Sequence, residues 1–382
     1  MNVSRRALVK GMLAAGAMPM FNIGCAGFGQ GRASQLAKGA KLRVALIGCC
    51  LAAFCALAGY AMEGPFLVMT TPVEEDGSID WATLVKEADF AEKCEVPGII
   101  WPSGELVPYA ISREDLEKGM DILAAAMRGR RTTLAFACAG RDTAHCVETV
   151  KTVERIAAKH GIGIAYLARP ADDCRSQADM ERHYNAIGEV ATHPVIMQTF
   201  LNGSCPQPDI DMIVRLAEKF PATFGYVKEE GPATKTNDRI AELVAHKPVI
   251  RKVFGGFGGW SWRYQLRRLG ADGLVTQRLM YGDVLTFVFR ETKRGDPEGK
   301  ARDAFEKLLA IWNLRNVFPG NELRGPQLYI FKKRGVFKNM LSLAADGKGR
   351  KIDRVELSDR QIAEIEELYA ALKPYCKDFH LD

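Results

Sequence analysis

Eight short apolar runs, separated by amphipathic stretches of helix length, constrain this chain more than any other feature. They are Pro65–Thr70, Gly98–Trp101, Thr133–Cys138, Gly163–Leu167, Pro194–Thr199, Thr223–Lys228, Val249–Phe254 and Gly273–Thr276. Continuously apolar strands that alternate with helices imply a parallel sheet buried on both faces. Eight such units predict a closed (β/α)8 TIM barrel; an open doubly wound sheet is the alternative arrangement. The helix starts agree. Asp80 is placed to cap a helix from Trp81 to Cys94, and Ser112-Arg113-Glu114-Asp115 is a capping-box-like start. Beyond the eighth run, helical patterns over 302–313, 327–334 and 359–372 exceed what one closing barrel helix needs. The expected organisation is a barrel over 62–296 followed by C-terminal helices over 297–382.

Residues 1–61 read differently. The first 62 residues hold seven Lys or Arg and no acid, whereas the other 320 hold 45 basic and 46 acidic residues. A near-neutral body argues against nucleic-acid binding, which needs a basic face. The chain opens Ser4-Arg5-Arg6-Ala7-Leu8-Val9-Lys10 and continues as an apolar run from Gly11 to Ile23, the pattern of an export signal. The Arg5-Arg6 pair resembles a twin-arginine signal, which implies an exported, periplasmic or membrane-associated protein. An N-terminal amphipathic helix and a cytoplasmic location are the alternative. Residues 44–62 form a second apolar run.

The stretch from Ser4 to Gly48, ending Lys41-Leu42-Arg43-Val44-Ala45-Leu46-Ile47-Gly48, resembles the leader and first strand of exported glucose-fructose-oxidoreductase-like dehydrogenases. The dinucleotide fingerprint then fails, because Cys49-Cys50-Leu51-Ala52-Ala53-Phe54 offers no second glycine for a pyrophosphate to approach. NAD binding is not expected. Ten scattered cysteines without a C-x-x-C, and six histidines without a ligand-spaced pair, give no support for a metal site or a disulfide scaffold. No cofactor is expected.

A barrel places its reacting groups at the C-terminal ends of its strands. Those ends carry Thr71, Ser103-Gly104-Glu105, Cys138, Arg169, Gln198, Lys228-Glu229, Gly255-Gly256 and Thr276-Gln277. Lys228 closes Phe224-Gly225-Tyr226-Val227 and should point into the mouth. An ammonium walled by apolar groups is poorly hydrated, and the neutral amine that Schiff-base chemistry needs becomes available. The plainer account is a structural lysine paired with Glu229 or Glu230. The Gly-rich run Phe254–Trp260 fits a loop lining the mouth, and Trp260 and Trp262 suit either sugar stacking or core packing. Lys332-Lys333-Arg334 reads as a solvated basic patch.

Taken in order, these residues resemble the dihydrodipicolinate synthase and N-acetylneuraminate lyase superfamily, class I pyruvate-dependent aldolases, over roughly residues 62–372. Thr71-Pro72 followed by Asp76-Gly77-Ser78-Ile79-Asp80 is similar to the family's opening, and Gly270–Thr276 to a later strand. Trp101-Pro102-Ser103-Gly104-Glu105 falls on the loop that binds the 2-oxo acid carboxylate, and Tyr226-Val227-Lys228-Glu229 on the motif of the Schiff-base lysine. The resemblance implies Lys228 as nucleophile and the Ser103-Gly104 loop as holder of the carboxylate; Thr71, Arg169, Gly256 and Thr276, at the strand ends, are the further candidate substrate contacts. It also implies a homo-oligomer, dimer or tetramer, acting on a small 2-oxo acid or sugar acid.

The departures matter as much. Gln198 stands where the family has its catalytic Tyr, no Arg follows in Asn202-Gly203-Ser204, and the second relay Tyr falls near Asp172. Pro102 replaces a hydroxyl residue of the carboxylate loop. Lysine biosynthesis is not expected. Gln cannot titrate, so Asp172, Glu229, Glu105 or the substrate's own carboxylate must carry protons. Arg169 or Arg278 is the candidate for a distal anionic group. The expected activity is a Schiff-base aldolase or dehydratase that uses Lys228, Gln198 and Asp172. A non-catalytic sugar-acid binder is the alternative, and an NAD-dependent oxidoreductase the remote one.

Overall fold

The computed structural model describes residues 62–378, except 105, 108, 200–204, 232, 319–323 and 346–348. The leader, the apolar linker and the strand-like stretch over 41–48 lie outside the described residues, as does Glu105.

The eight expected strands are present and close on themselves. Their order is β1 (Gly64–Val68), β2 (Gly98–Trp101), β3 (Thr133–Cys138), β4 (Ile164–Ala168), β5 (Val195–Gln198), β6 (Tyr226–Glu229), β7 (Lys252–Gly255) and β8 (Gly273–Thr276). Each pairs in parallel with the next, and β8 returns to β1, so the sheet is a barrel and not an open doubly wound sheet. Closure explains the apolar runs: interior side chains fill the lumen, and outward ones meet helices. Interior packing is tight. Phe66 and Phe254 meet edge to face at 5.4 Å, and a Cβ at Gly98 would lie 2.3 Å from the Phe66 ring.

The crossovers are α1 (Trp81–Lys93), α2 (Arg113–Ala126), α3 (Thr143–His160), α4 (Gln177–Gly188), α5 (Ile210–Lys219) and α6 (Ala233–Ala245). The seventh, α7 (Trp262–Tyr264), runs on as a π turn over Gln265–Leu269. Asp80 caps α1 by accepting from the Thr83 N–H, and Ser112 caps α2 by accepting from the Asp115 N–H.

After the barrel come α8 (Gly282–Lys293), α9 (Lys300–Val317), α10 (Gly325–Lys333) and α11 (Asp359–Leu372). An antiparallel hairpin, β9 (Leu341–Ala345) with β10 (Arg350–Arg354), was not expected. It is bound to the mouth of the barrel, because Leu343 N–H donates to the Thr71 carbonyl at 2.8 Å. Arg334 also departs from expectation. Its side chain is shielded and not solvated, and its guanidinium grips Asp283 bidentately at 2.9 and 2.6 Å.

Candidate active site

The C-terminal ends of the strands open into a cavity of about 900 Å³ lined by Ser103, Gly104, Arg169, Asp172, Gln198, Lys228 and Thr276, together with Tyr109, Glu230, Trp260, Gln277, Arg278 and Arg315. Thr71 and Gly256, expected as substrate contacts, are not among the lining residues. The Thr71 hydroxyl accepts from Trp101 Nε1 at 3.1 Å. Gly256 lets the Lys228 stem pass, since a Cβ there would lie 3.1 Å from Lys228 Cε and 2.8 Å from the Glu229 carbonyl oxygen.

Register brings the central group together. Gln198 on β5 stands opposite Lys228 on β6, and alternate residues of a strand share a face. Lys228 and Glu230 therefore point the same way, and Nζ meets Glu230 Oε2 at 2.7 Å, with both side chains largely shielded from solvent. Gln198 Nε2 donates to the same oxygen at 2.5 Å. The walls around the lysine are thus not purely apolar; a carboxylate one residue past the end of its strand matches its charge. Glu229, between them, faces the helix layer. It is fully buried, accepts from Arg239 Nε of α6 at 2.9 Å and from Gln207 Nε2 at 2.7 Å, and burial pushes its carboxyl upward against the pull of Arg239.

Across the mouth, Ser103 Oγ accepts from Gln277 Nε2 at 3.0 Å. That leaves its own O–H available for a ligand carboxylate. On the third side Asp172 is held from both ends, by Arg169 Nη1 at 2.9 Å and by the Tyr109 hydroxyl at 2.6 Å. The Tyr109 hydroxyl is pushed up chiefly by that hydrogen bond. This hydroxyl comes from the loop after β2 and stands beside Asp172. Trp262 is fully buried and stacks with Phe289 in the core, whereas Trp260 lines the cavity and meets Trp312 edge to face.

Glu230 was named from the sequence only as the partner of a structural lysine, and that pairing is the one observed, whereas Glu229 turns away. Gln277 was named only as a strand end, and no local signal marks Tyr109 or Arg315. Among the described residues, no cluster of three or more His, Cys, Asp or Glu is arranged to hold a metal ion.

No protein-family model matches the chain. The chain is 25% identical over 260 residues to the 4-hydroxy-tetrahydrodipicolinate synthase of Leptothrix cholodnii, covering 66% of this chain and 82% of that one. It is 25% identical over 198 residues to the Ralstonia nicotianae protein of the same name, covering 51% of this chain and 63% of that relative, under two thirds of its length. Among solved structures, a dihydrodipicolinate synthase from Aquifex aeolicus superposes with a TM-score of 0.65 at 18% identity, covering 82% of this chain and 98% of that one. A putative dihydrodipicolinate synthetase from Pseudomonas aeruginosa gives 0.66 at 17% identity, covering 83% and 100%. These structural likenesses establish a common fold.

Proposed function

We propose that this chain belongs to the dihydrodipicolinate synthase and N-acetylneuraminate lyase superfamily, which its relatives and its fold support, and that it is a class I aldolase or dehydratase in which Lys228 forms a Schiff base with a 2-oxo acid or sugar acid. The observation that carries this reading is the contact between Lys228 Nζ and Glu230 Oε2, 2.7 Å long, inside the mouth cavity. A nucleophile with a base in hydrogen-bond reach is the arrangement the chemistry needs.

The proton balance is simple. An ammonium and a ketone give an iminium and water, so of three ammonium hydrogens one stays on nitrogen and two leave with the oxygen. Glu230 takes one proton from Nζ, and the neutral amine attacks C2. The nitrogen–carbon bond forms as the carbonyl π bond breaks, and the oxygen takes the proton back from Glu230. The same carboxylate moves a second proton from nitrogen to the hydroxyl, which departs as water. Glu230 ends as it began, and no proton is exchanged with solvent.

The iminium then acts as electron sink for cleavage next to C3 or loss of a proton from C3, so no cofactor is required. Gln198 orients Glu230 without titrating. The Ser103 O–H and the backbone at Gly104 hold the substrate carboxylate. Asp172, fixed by Arg169, takes the single Tyr109 O–H in a hydrogen bond, so the Tyr109 oxygen meets the cavity as an acceptor.

Borohydride reduction with pyruvate tests the reading. One reduced adduct should map to Lys228, and Lys228→Met should lose it. Wild-type protein that binds a 2-oxo acid and never traps would mean a non-catalytic binder.

Two further readings rest on sequence alone. Residues 1–61 direct export through the Arg5-Arg6 pair, so changing both to Lys should retain the protein in the cytoplasm, because a guanidinium pair is not interchangeable with two ammonium groups. The chain assembles as a dimer or tetramer, which light scattering on the purified protein decides.

A further inference from the structure

The charges lining the mouth do not balance. Its acids are Asp172 and Glu230, and each is already matched, to Arg169 and to Lys228. Two guanidinium groups remain in the lining, close to one another. Arg278, two residues past β8, is 2% exposed. Its Nη1 donates to the Gln277 carbonyl at 2.9 Å, its plane lies 5.3 Å from the Trp312 ring centre, and Nε and Nη2 have no hydrogen-bond partner. Arg315, exposed on α9, lines the same cavity. No acid among the described residues is paired with either.

A buried cation without a counter-charge is costly to hold, and anything that brings a negative charge beside it is favoured. Burial, with the Arg315 charge adding to it, pulls the Arg278 guanidinium down to about 10, which leaves it charged at neutral pH. Arg169, whose charge is spent on Asp172, is the weaker candidate for this work.

We propose that the Arg278–Arg315 wall is a second anion subsite, so that the substrate is a 2-oxo acid with a carboxylate or phosphate at the end remote from its carbonyl. Arg315 supplies donors at the rim, and Arg278 supplies positive potential from behind, in a setting of low dielectric where it is poorly screened. The proposal rests on the Schiff-base reading, because Lys228 and the Ser103 loop fix the other end of the same molecule. It leaves a neutral-tailed acid such as pyruvate as a poor mimic of the true substrate.

The test compares matched 2-oxo acids in the borohydride assay on the full chain. 2-Oxoglutarate and 2-oxoadipate are each set against an uncharged analogue of equal length, and the concentration giving half-maximal trapping is read. A charge-assisted contact predicts that at least one diacid traps at a concentration lower by about tenfold or more. Arg315→Gln, at an exposed position, and Arg278→Gln should each bring that ratio towards one. Inorganic phosphate as a competitor separates the two sources of negative charge. If it raises the diacid's half-trapping concentration and not the analogue's, the subsite accepts phosphate; if it does neither, the subsite is selective for carboxylate.

A ratio near one for both diacids in the wild type, or a ratio that survives both substitutions, overturns the proposal. If nothing traps, the Schiff-base reading has failed by itself, and calorimetry with glutarate and with inorganic phosphate then decides the subsite. Binding heat that Arg315→Gln weakens supports it, and no heat in the wild type overturns it.

Discussion

Lys228 and Glu230 stand two residues apart at the end of one strand and meet at 2.7 Å, Nζ to Oε2. The residue between them points the other way, into a buried pair with Arg239. A single strand end therefore delivers an amine and a carboxylate to the cavity and an anchor to the helix layer, in an order that strand geometry fixes. The Glu230 carboxylate thus lies against Lys228 Nζ inside the cavity.

Glu230→Gln removes the proton acceptor and keeps the shape. Loss of a positioned acid–base group typically costs about 10²–10⁴ in rate. The rate of single-site trapping with saturating pyruvate is expected to fall by about 10² or more, and Glu230→Asp to recover part of it. Equal rates in wild type and Glu230→Gln would remove Glu230 from the mechanism.

Gly256→Ala tests how closely the lysine stem is packed. The new methyl would meet the Glu229 carbonyl oxygen at 2.8 Å and Lys228 Cε at 3.1 Å, and the backbone oxygen cannot yield cheaply. Misplacement by a fraction of an ångström is enough to slow a positioned reaction, so trapping should slow by about tenfold or more. The unfolding free energy should drop by about 1–3 kcal/mol, as for other overpacked sites. Chemical denaturation and the trapping assay read the two effects separately.

The barrel was legible because its information is periodic. Runs such as Thr133–Cys138 and Gly273–Thr276 are apolar on both faces and appear as strands with the same bounds, whereas the strands expected from Thr223 and Val249 begin three residues later, at Tyr226 and Lys252. Asp80 and Ser112 were legible for a local reason, since a cap bonds only two or three residues ahead. Tyr109 was not legible. Its hydroxyl reaches Asp172 across 63 positions of sequence, and nothing near Tyr109 records that distance. Arg334 was misread for the same reason: its partner Asp283 is 51 residues away, and a basic tripeptide looks solvated until the partner is known. The hairpin over 341–354 escaped because its second strand, Arg350-Lys351-Ile352-Asp353-Arg354, is mostly charged.

His183 predicts an acid-sensitive fold next to the site. Its ring is buried, with Nδ1 3.0 Å from the Thr143 hydroxyl and Nε2 3.2 Å from the Arg169 carbonyl oxygen. Burial lowers it from 6.5 to about 4. The folded group thus holds its proton less well than the unfolded one. Its contribution is complete above pH 6.5 and is lost as pH falls towards 4, at a slope of up to about 1.4 kcal/mol per pH unit. Urea midpoints measured through that window should fall more steeply in the wild type than in His183→Asn. Parallel curves would mean that the ring is not held neutral.

Gln198 ranks the parts of the centre. It faces Lys228 across the β5–β6 register and donates to the oxygen that Lys228 also binds. Its amide cannot accept or release a proton at neutral pH, so its contribution is to orient Glu230. Gln198→Leu removes one hydrogen bond to a charged group, worth about 1.5–3 kcal/mol, and leaves the Lys228–Glu230 contact in place. Trapping at saturating pyruvate should then slow by about tenfold, less than for Glu230→Gln, with the adduct still on Lys228 alone. Gln198→Tyr replaces the amide with a hydroxyl that donates to the same carboxylate and also passes a proton. It should trap at the same single site, at a rate no lower than the wild type. If Gln198→Leu loses as much as Glu230→Gln, the amide is touching the substrate itself, and the role assigned to Glu230 has to be shared between the two.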